Sequence, residues 1–168
     1  MLPGDMLFQS LCWVFFQVFF HCLVALVLKP NWPRFAAKGK YIRWSMYNRS
    51  VASMHSIVVT SMSIYYWTYI NSDWSVFQDK LHTFAELTID FMTGYLIYDL
   101  LHELNFPEKA DKETIFHHLL GLATHVTARS TGSVAACNYY MMIYIAELST
   151  LFLHLCWAFA FFTQNLVV

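Results

Sequence analysis

The chain has 168 residues, of which 58% are hydrophobic, 18% aromatic and 12% charged, with a mean hydropathy of +0.43. Soluble domains carry about 25% charged residues, so this composition excludes an ordinary water-soluble fold and selects lipid as the solvent. A formal net charge of -1 gives no reason to expect a nucleic-acid partner, and the information lies instead in where the charges fall.

A membrane-spanning helix needs about 20 mostly apolar residues at roughly 1.5 Å each. Residues 6–28 meet this without a charge. The run is too long for a signal-peptide core and lacks a basic start, so it reads as a retained first helix, ended by Lys29, Pro30, Trp32 and Pro33. A basic segment follows, with Lys29, Arg34, Lys38, Lys40, Arg43 and Arg49 and no acid. Residues 50–70 form a second span that contains His55 and closes on an interfacial cluster, Tyr65, Tyr66, Trp67 and Tyr69. Residues 85–102 form a third, which holds Glu86, Asp90 and Asp99. Residues 115–128 are apolar but short, Arg129 to Gly132 reads as a turn, and residues 135–162 make a long final helix. Cys12, Cys22, Cys137 and Cys156 lie in apolar runs without metal-ligand spacing and read as buried small hydrophobes. The expectation is an all-α, polytopic transmembrane helix bundle of about five spanning helices. Residues 1–39 supply a first helix and basic cytosolic linker, and residues 40–168 the main membrane domain.

Loops 29–49 and 103–115 hold eight Lys and Arg, while the other side holds two, Lys80 and Arg129. The positive-inside rule then puts the N-terminus in the lumen and the C-terminus in the cytosol. The sequon Asn48-Arg49-Ser50 faces the cytosol in that orientation and reads as chance.

Depth counting gathers the ionisable residues. His55 lies about one and a half turns inside the second helix and Asp99 about one turn from the end of the third. His117 and His118 open the fourth helix from the same side. His118 precedes Gly132 by 14 residues and Glu147 follows it by 15, so an antiparallel hairpin brings them level. His55, Asp99, His117, His118 and Glu147 thus share one stratum. Charged groups in hydrocarbon cost a few kcal/mol each and normally face a bundle interior in pairs. A carboxylate beside an imidazole fixes the tautomer and raises basicity, which suits a general base or nucleophile. The bland alternative is a hydrogen-bond cluster that pins helices together.

Other polar residues carry less. Glu86 and Asp90 are spaced to bind a cation or line a watery vestibule. His102 pairs with Asp99 at i,i+3 near the membrane edge, and His125 reads as packed or bonded to backbone. Arg49 reads as a lipid-phosphate ligand or an anchoring side chain at the interface. His21 and His154 read as satisfied core residues, and the Phe-rich stripes of the first and last helices as packing or lipid-facing surface.

Four segments resemble the TLC-domain family, the polytopic membrane proteins that include ceramide synthases, the translocon-associated TRAM proteins and a set of smaller TLC-domain-containing proteins. They are Asn48-Arg49 with Met54-His55-Ser56, Thr93-Gly94-Tyr95-Leu96-Ile97-Tyr98-Asp99, Phe116-His117-His118, and Ala146-Glu147-Leu148-Ser149-Thr150 with Phe152 and Trp157. The match is nearest to the smaller members. The resemblance implies a cytoplasm-facing cavity for lipid chains and location in the endoplasmic reticulum. In ceramide synthases, paired histidines and two aspartates on the next helix, the first preceded by a histidine, support acyl transfer to a sphingoid amine. His117 and His118 match the paired histidines and Glu147 the first aspartate. Thr150 stands where the second falls, and Ala146 where the further histidine falls, which weighs against ceramide synthesis. Family members continue through one or two more spans, so the end at Val168 reads as a truncation relative to them.

The leading expectation is a membrane protein that binds lipid and takes part in sphingolipid or phospholipid homeostasis, with Arg49, His55 and Gly94 as lipid-binding residues. The alternative is an acyl-CoA-dependent N-acyltransferase with His117, His118, Asp99 and Glu147 as catalytic residues. Proton or ion transport through the polar layer ranks third. No cofactor is expected, and acyl-CoA enters only as the substrate of the enzymatic reading. No metal is expected either, because adjacent histidines on one helix point about 100° apart and chelate poorly. Membrane lipids are the expected partners, with a homo- or hetero-oligomer in the membrane as a further possibility.

Overall fold

The structure is a computed structural model and describes residues 3–31, 36–72 and 83–166. Trp32, Pro33, Arg34 and Lys80, used above to end the first helix and weigh loop charge, lie outside the described residues. The described residues form five helical rods: α1 (Pro3–Asn31), α2 (Lys40–Tyr65), α3 (Thr83–Leu104), α4 (Lys112–Thr131), and a last rod made of α5 (Val134–Ile143) and α6 (Leu148–Leu166). No strand occurs among the described residues. Two stretches, Asp5–Pro30 and Val134–Thr163, are long and apolar enough in themselves to cross a bilayer. The fold is therefore an all-α helical membrane fold. The Phe stripes of its first and last rods point outward, with Phe15, Phe19, Phe152 and Phe159 all exposed.

Helix α3 is the axis. Residues 88–96 are buried without interruption, so the helix is enclosed all round rather than amphipathic. Helix α1 packs chiefly on α3, α4 and α5 cover other sides of it, and α2 joins α3 to α6. The α1–α3 crossing is close because Gly94 has no side chain. A Cβ there would lie 2.6 Å from Trp13 Cβ and 2.8 Å from the Ser10 carbonyl oxygen.

Several element boundaries differ from expectation. Helix α2 starts at Lys40, inside the basic segment, where Arg43 donates to the carbonyls of Ala36 and Lys38 and ties down the entry. It continues through a π-helical turn, Tyr66–Ile70, which carries Tyr66 and Trp67 fully inside. The expected interfacial cluster is therefore half core: Tyr66 donates to Asn138 Oδ1 at 2.6 Å, and only Tyr65 and Tyr69 are exposed. The fourth helix has 20 residues rather than a short run. The last helix is not continuous, because Tyr144–Glu147 is 3-10. Of the cysteines only Cys137 is buried; Cys12, Cys22 and Cys156 are free and face outward, as apolar residues in lipid can.

The α4–α5 hairpin forms as expected, and its chemistry is local. Gly132 takes φ 62°, and the N–H of Ser133 closes on the Ala128 carbonyl at 3.2 Å. The Ser133 hydroxyl caps α5 through the N–H of Ala136. At the other end of α4, the Asp111 carboxylate accepts from Thr114 Oγ1 at 2.7 Å and from the N–H groups of Glu113 and Thr114. The Thr114 hydroxyl first, then the Glu113 N–H, hold this carboxyl below the ordinary carboxylate range. A lowered folded pKa means the cap is present above the unfolded pKa and lost as pH falls through the folded one. Asp111→Ala is expected to speed amide exchange at Glu113 and Thr114, and the difference from wild type should vanish in acid. An unchanged exchange rate at neutral pH would remove the cap.

Candidate functional site

One carboxylate–imidazole pair is assembled among the residues that the counting groups together. His118 Nε2 lies 3.3 Å from Asp99 Oδ2, joining α4 to α3, and both side chains are more than nine-tenths buried. Asn48 of α2 donates Nδ2 to Asp99 Oδ1 at 2.6 Å. With Nε2–H donating to the carboxylate, the neutral ring carries its lone pair on Nδ1, which is buried and has no hydrogen-bond partner among the described residues. Asn48, Asp99 and His118 thus form a relay in which one side chain orients the next. That arrangement supports proton abstraction or acceptance of a hydrogen bond from a ligand.

The remaining members of the predicted layer do not join the pair. His117 is exposed on the outer face of α4, one residue and about 100° from His118. His55 is fully buried but stacked on Tyr95 and Phe91, at 3.9 and 4.9 Å between ring centroids. Its Nε2 meets Met92 Sδ at 2.9 Å. Glu147 is half-buried in the 3-10 segment against α2, and accepts from Thr150 Oγ1 at 3.1 Å. The last rod leaves α4 after the hairpin and packs on α2, which takes Glu147 away from His118. Gly94 faces the backbone of α1, which fills the space a lipid contact would need.

Arg49 lies on α2, nine residues in from its start at Lys40. Its side chain is half-buried, with the guanidinium 4.4 Å over the Trp157 ring of α6. The Arg49 guanidinium makes no hydrogen bond to the described residues, and its Nε is buried. His154, on the same rod as Trp157, has Nδ1 3.3 Å from Ser53 Oγ, a satisfied contact of the kind expected.

Three features escaped sequence reasoning. Glu86 and Asp90 are a cation site whose cation is internal. Arg129 donates Nε and Nη2 to the two Asp90 oxygens at 3.1 and 3.2 Å and Nη1 to Glu86. Asp90 is fully buried. The signal was available, since Arg129 ends α4 on the side where Glu86 and Asp90 begin α3. His125 bonds side chains rather than backbone. Thr93 donates to the Ile89 carbonyl, so His125 Nδ1 donates to Thr93 Oγ1 at 3.2 Å and Tyr144 donates to Nε2 at 2.9 Å. The expected His102–Asp99 pair is replaced by a buried His102 with Nδ1 3.6 Å from Glu103.

A family model for the TLC domain matches residues 44–167, a range that takes in Asn48, Arg49, Asp99, His118 and Trp157 and leaves α1 outside. Two curated relatives are TLC domain-containing protein 4-B of Danio rerio and TLC domain-containing protein 4-B of Xenopus laevis. Each is 30% identical over 151 residues, or 86% of this chain, and covers 54% and 55% of the respective relative. The chain spans about half the length of the curated relatives it matches. No solved structure matches.

Proposed function

The chain belongs to the TLC-domain family, and from that premise we propose that it is a multi-pass membrane protein that binds a phosphate-bearing lipid beside Arg49. Its role in this reading is homeostasis of membrane sphingolipids or phospholipids. The observation that carries it is the Arg49 guanidinium, which lies half-buried on Trp157 with no hydrogen bond to the described residues. The buried Nε lacks an acceptor among the described residues, and a phosphate matches the planar fork of the guanidinium. Asp99 lies close enough to act on Arg49 but is already held by Asn48 and His118. Length supports five spans, because even the 20 residues of α4 reach about 30 Å, the thickness of the hydrocarbon core. Loop charge supports a lumenal N-terminus and a cytosolic C-terminus, and the family resemblance supports the endoplasmic reticulum.

Lipid retained by the protein in mild detergent and read by mass spectrometry tests this. Wild type is expected to retain phosphate-bearing lipid, and Arg49→Leu to retain about tenfold less, as for a lost charge-assisted hydrogen bond. An identical lipid profile in Arg49→Leu, His118→Ala and Glu147→Ala would end the reading.

A second reading rests on the buried, unpartnered Nδ1 of His118. There the imidazole takes the proton of a sphingoid amine as its nitrogen attacks the thioester carbonyl of a long-chain acyl-CoA, Asp99 stabilises the imidazolium, and the imidazolium returns that proton to the departing CoA sulfur as the C–S bond breaks. Against it stand Glu147 turned to Thr150 and the residues Ala146 and Thr150. Purified protein given acyl-CoA and sphingoid base tests it, and the absence of both amide product and acyl adduct would remove it.

A further inference from the structure

A cavity of about 420 Å³ lies at the seam of α1, α2 and α3, and none of Arg49, Asp99 or His118 lines it. Its size falls within the range of small-molecule sites and is nearly three times that of an engineered apolar cavity that holds benzene, about 150 Å³. No Asp, Glu, Lys or Arg lines it. Its walls are Trp44, Tyr47 and Tyr98, with Val18, Cys22 and Leu101 on a side that is exposed.

The polar groups of the cavity are graded along it. His102 and Asn105 lie at the C-terminal end of α3, His21 and Tyr98 stand in the middle, and Val18 lies farther along α1. His102 is 7% exposed, and neither ring nitrogen has a hydrogen-bond partner among the described residues. The Asn105 amide nitrogen is used on the Leu101 carbonyl, which leaves its oxygen available. His21 Nδ1 meets the Tyr98 hydroxyl at 2.7 Å. If that phenol donates, the neutral ring carries its proton on Nε2, which has no partner among the described residues. The nearest charges belong to the rim: Glu103 beside His102, and Lys40, whose Nζ lies over the Trp44 and Phe106 rings at 5.8 and 5.6 Å.

We propose that this cleft is a binding site for a sterol, a rigid neutral lipid with one hydroxyl. The hydroxyl sits at the His102 and Asn105 end, the fused rings lie on Trp44 and Tyr98, and the apolar tail runs along Val18 and Cys22. Three properties choose this class. A lining without charge disfavours fatty acids and phospholipid headgroups, whose ionised groups need a paired cation when desolvated. Flat aromatic walls suit a rigid ring system, which loses little conformational freedom on binding. The polar groups cluster at the helix-end side, where a sterol hydroxyl lies in a bilayer leaflet. The site is independent of the phosphate-lipid reading, shares no residue with it, and includes α1, which lies outside the matched family range.

Photolabelling of the full chain in lipid nanodiscs with a diazirine-bearing cholesterol analogue tests the site, with adducts mapped by mass spectrometry. Labelling should saturate, map to α1 and α2 around Cys22 and Trp44, and yield to unlabelled cholesterol. Palmitate and ceramide, present in excess, should leave it unchanged. Cys22→Trp fills the cleft from an exposed position, and His102→Leu keeps the wall while removing the polar end. Each is expected to lower labelling about tenfold, as for loss of an anchor contact. Arg49→Leu should leave labelling intact while losing phosphate-bearing lipid, which separates the two sites. Labelling unchanged in both Cys22→Trp and His102→Leu, or competition by palmitate or ceramide equal to that of cholesterol, would overturn the proposal.

Discussion

Arg129→Ala is expected to destabilise the protein by about 3–5 kcal/mol, the range for breaking a buried ion pair by removing one partner. The reason is what it leaves behind. Asp90 is fully buried, and Glu86 approaches the same guanidinium from one turn away, so truncating Arg129 strands two carboxylates without their cation. The effect is asymmetric. Asp90→Asn keeps the volume and removes a charge, and Arg129 then still has Glu86, so that variant should lose much less. Combining the two should recover part of the Arg129→Ala loss, because the double variant no longer buries an unpaired Asp90 charge. Thermal unfolding in one detergent, compared across the three variants, reads the asymmetry directly. Equal losses for Arg129→Ala and Asp90→Asn would mean that the pair is solvated and not structural.

Gly94→Ala should be the most damaging single-methyl change in α3. The added carbon would lie 2.6 Å from Trp13 Cβ, 2.8 Å from the Ser10 carbonyl oxygen and 3.2 Å from the Val14 nitrogen. Two of these atoms are backbone and the third is a Cβ, so no rotamer change relieves the contact and α1 must move away from α3. Overpacking of this kind costs roughly 1–3 kcal/mol. Gly94→Val should exceed Gly94→Ala. Trp13→Ala should not rescue either one, since it leaves the Cβ and the backbone in place. The measurement is protease sensitivity of the α1–α2 connection together with the melting temperature. Rescue by Trp13→Ala would show that the indole, and not the crossing itself, sets the limit.

Height along the bundle was legible in the sequence, and direction around each helix was not. Counting residues from helix ends places Asp99 and His118 at one level, and they meet. The same counting cannot tell His118 from His117, because adjacent residues differ by a third of a turn, and only one of them faces inward. It fails for Glu147 as well, since the last rod crosses from α4 to α2 after the hairpin. Family resemblance marks Asn48 and Arg49 as a motif, but their tasks emerge only in three dimensions: one holds Asp99, and the other lies on Trp157. Helices were readable from apolar runs and caps. The π turn at Tyr66–Ile70 and the 3-10 segment at Tyr144–Glu147 were not, because both answer to tertiary partners such as Asn138, His125 and Thr60.

The 3-10 segment governs the phase of everything after it. Before it, the inward stripe is Cys137, Met141 and Tyr144. An unbroken α-helix would continue that stripe through Leu148, Phe152, Leu155 and Phe159, and all four are exposed. The residues that turn inward instead are Thr150, His154, Trp157 and Phe161. Four residues wound at three per turn rather than 3.6 advance the helix by about 80°. The rod also changes its neighbour, and together these shifts exchange a greasy stripe for one that carries a hydroxyl, an imidazole and an indole. The Tyr144 carbonyl accepts from Thr60 Oγ1 at 3.3 Å, so the slip is anchored from α2. One short overwound turn acts as a rotary coupling that delivers Trp157 to Arg49.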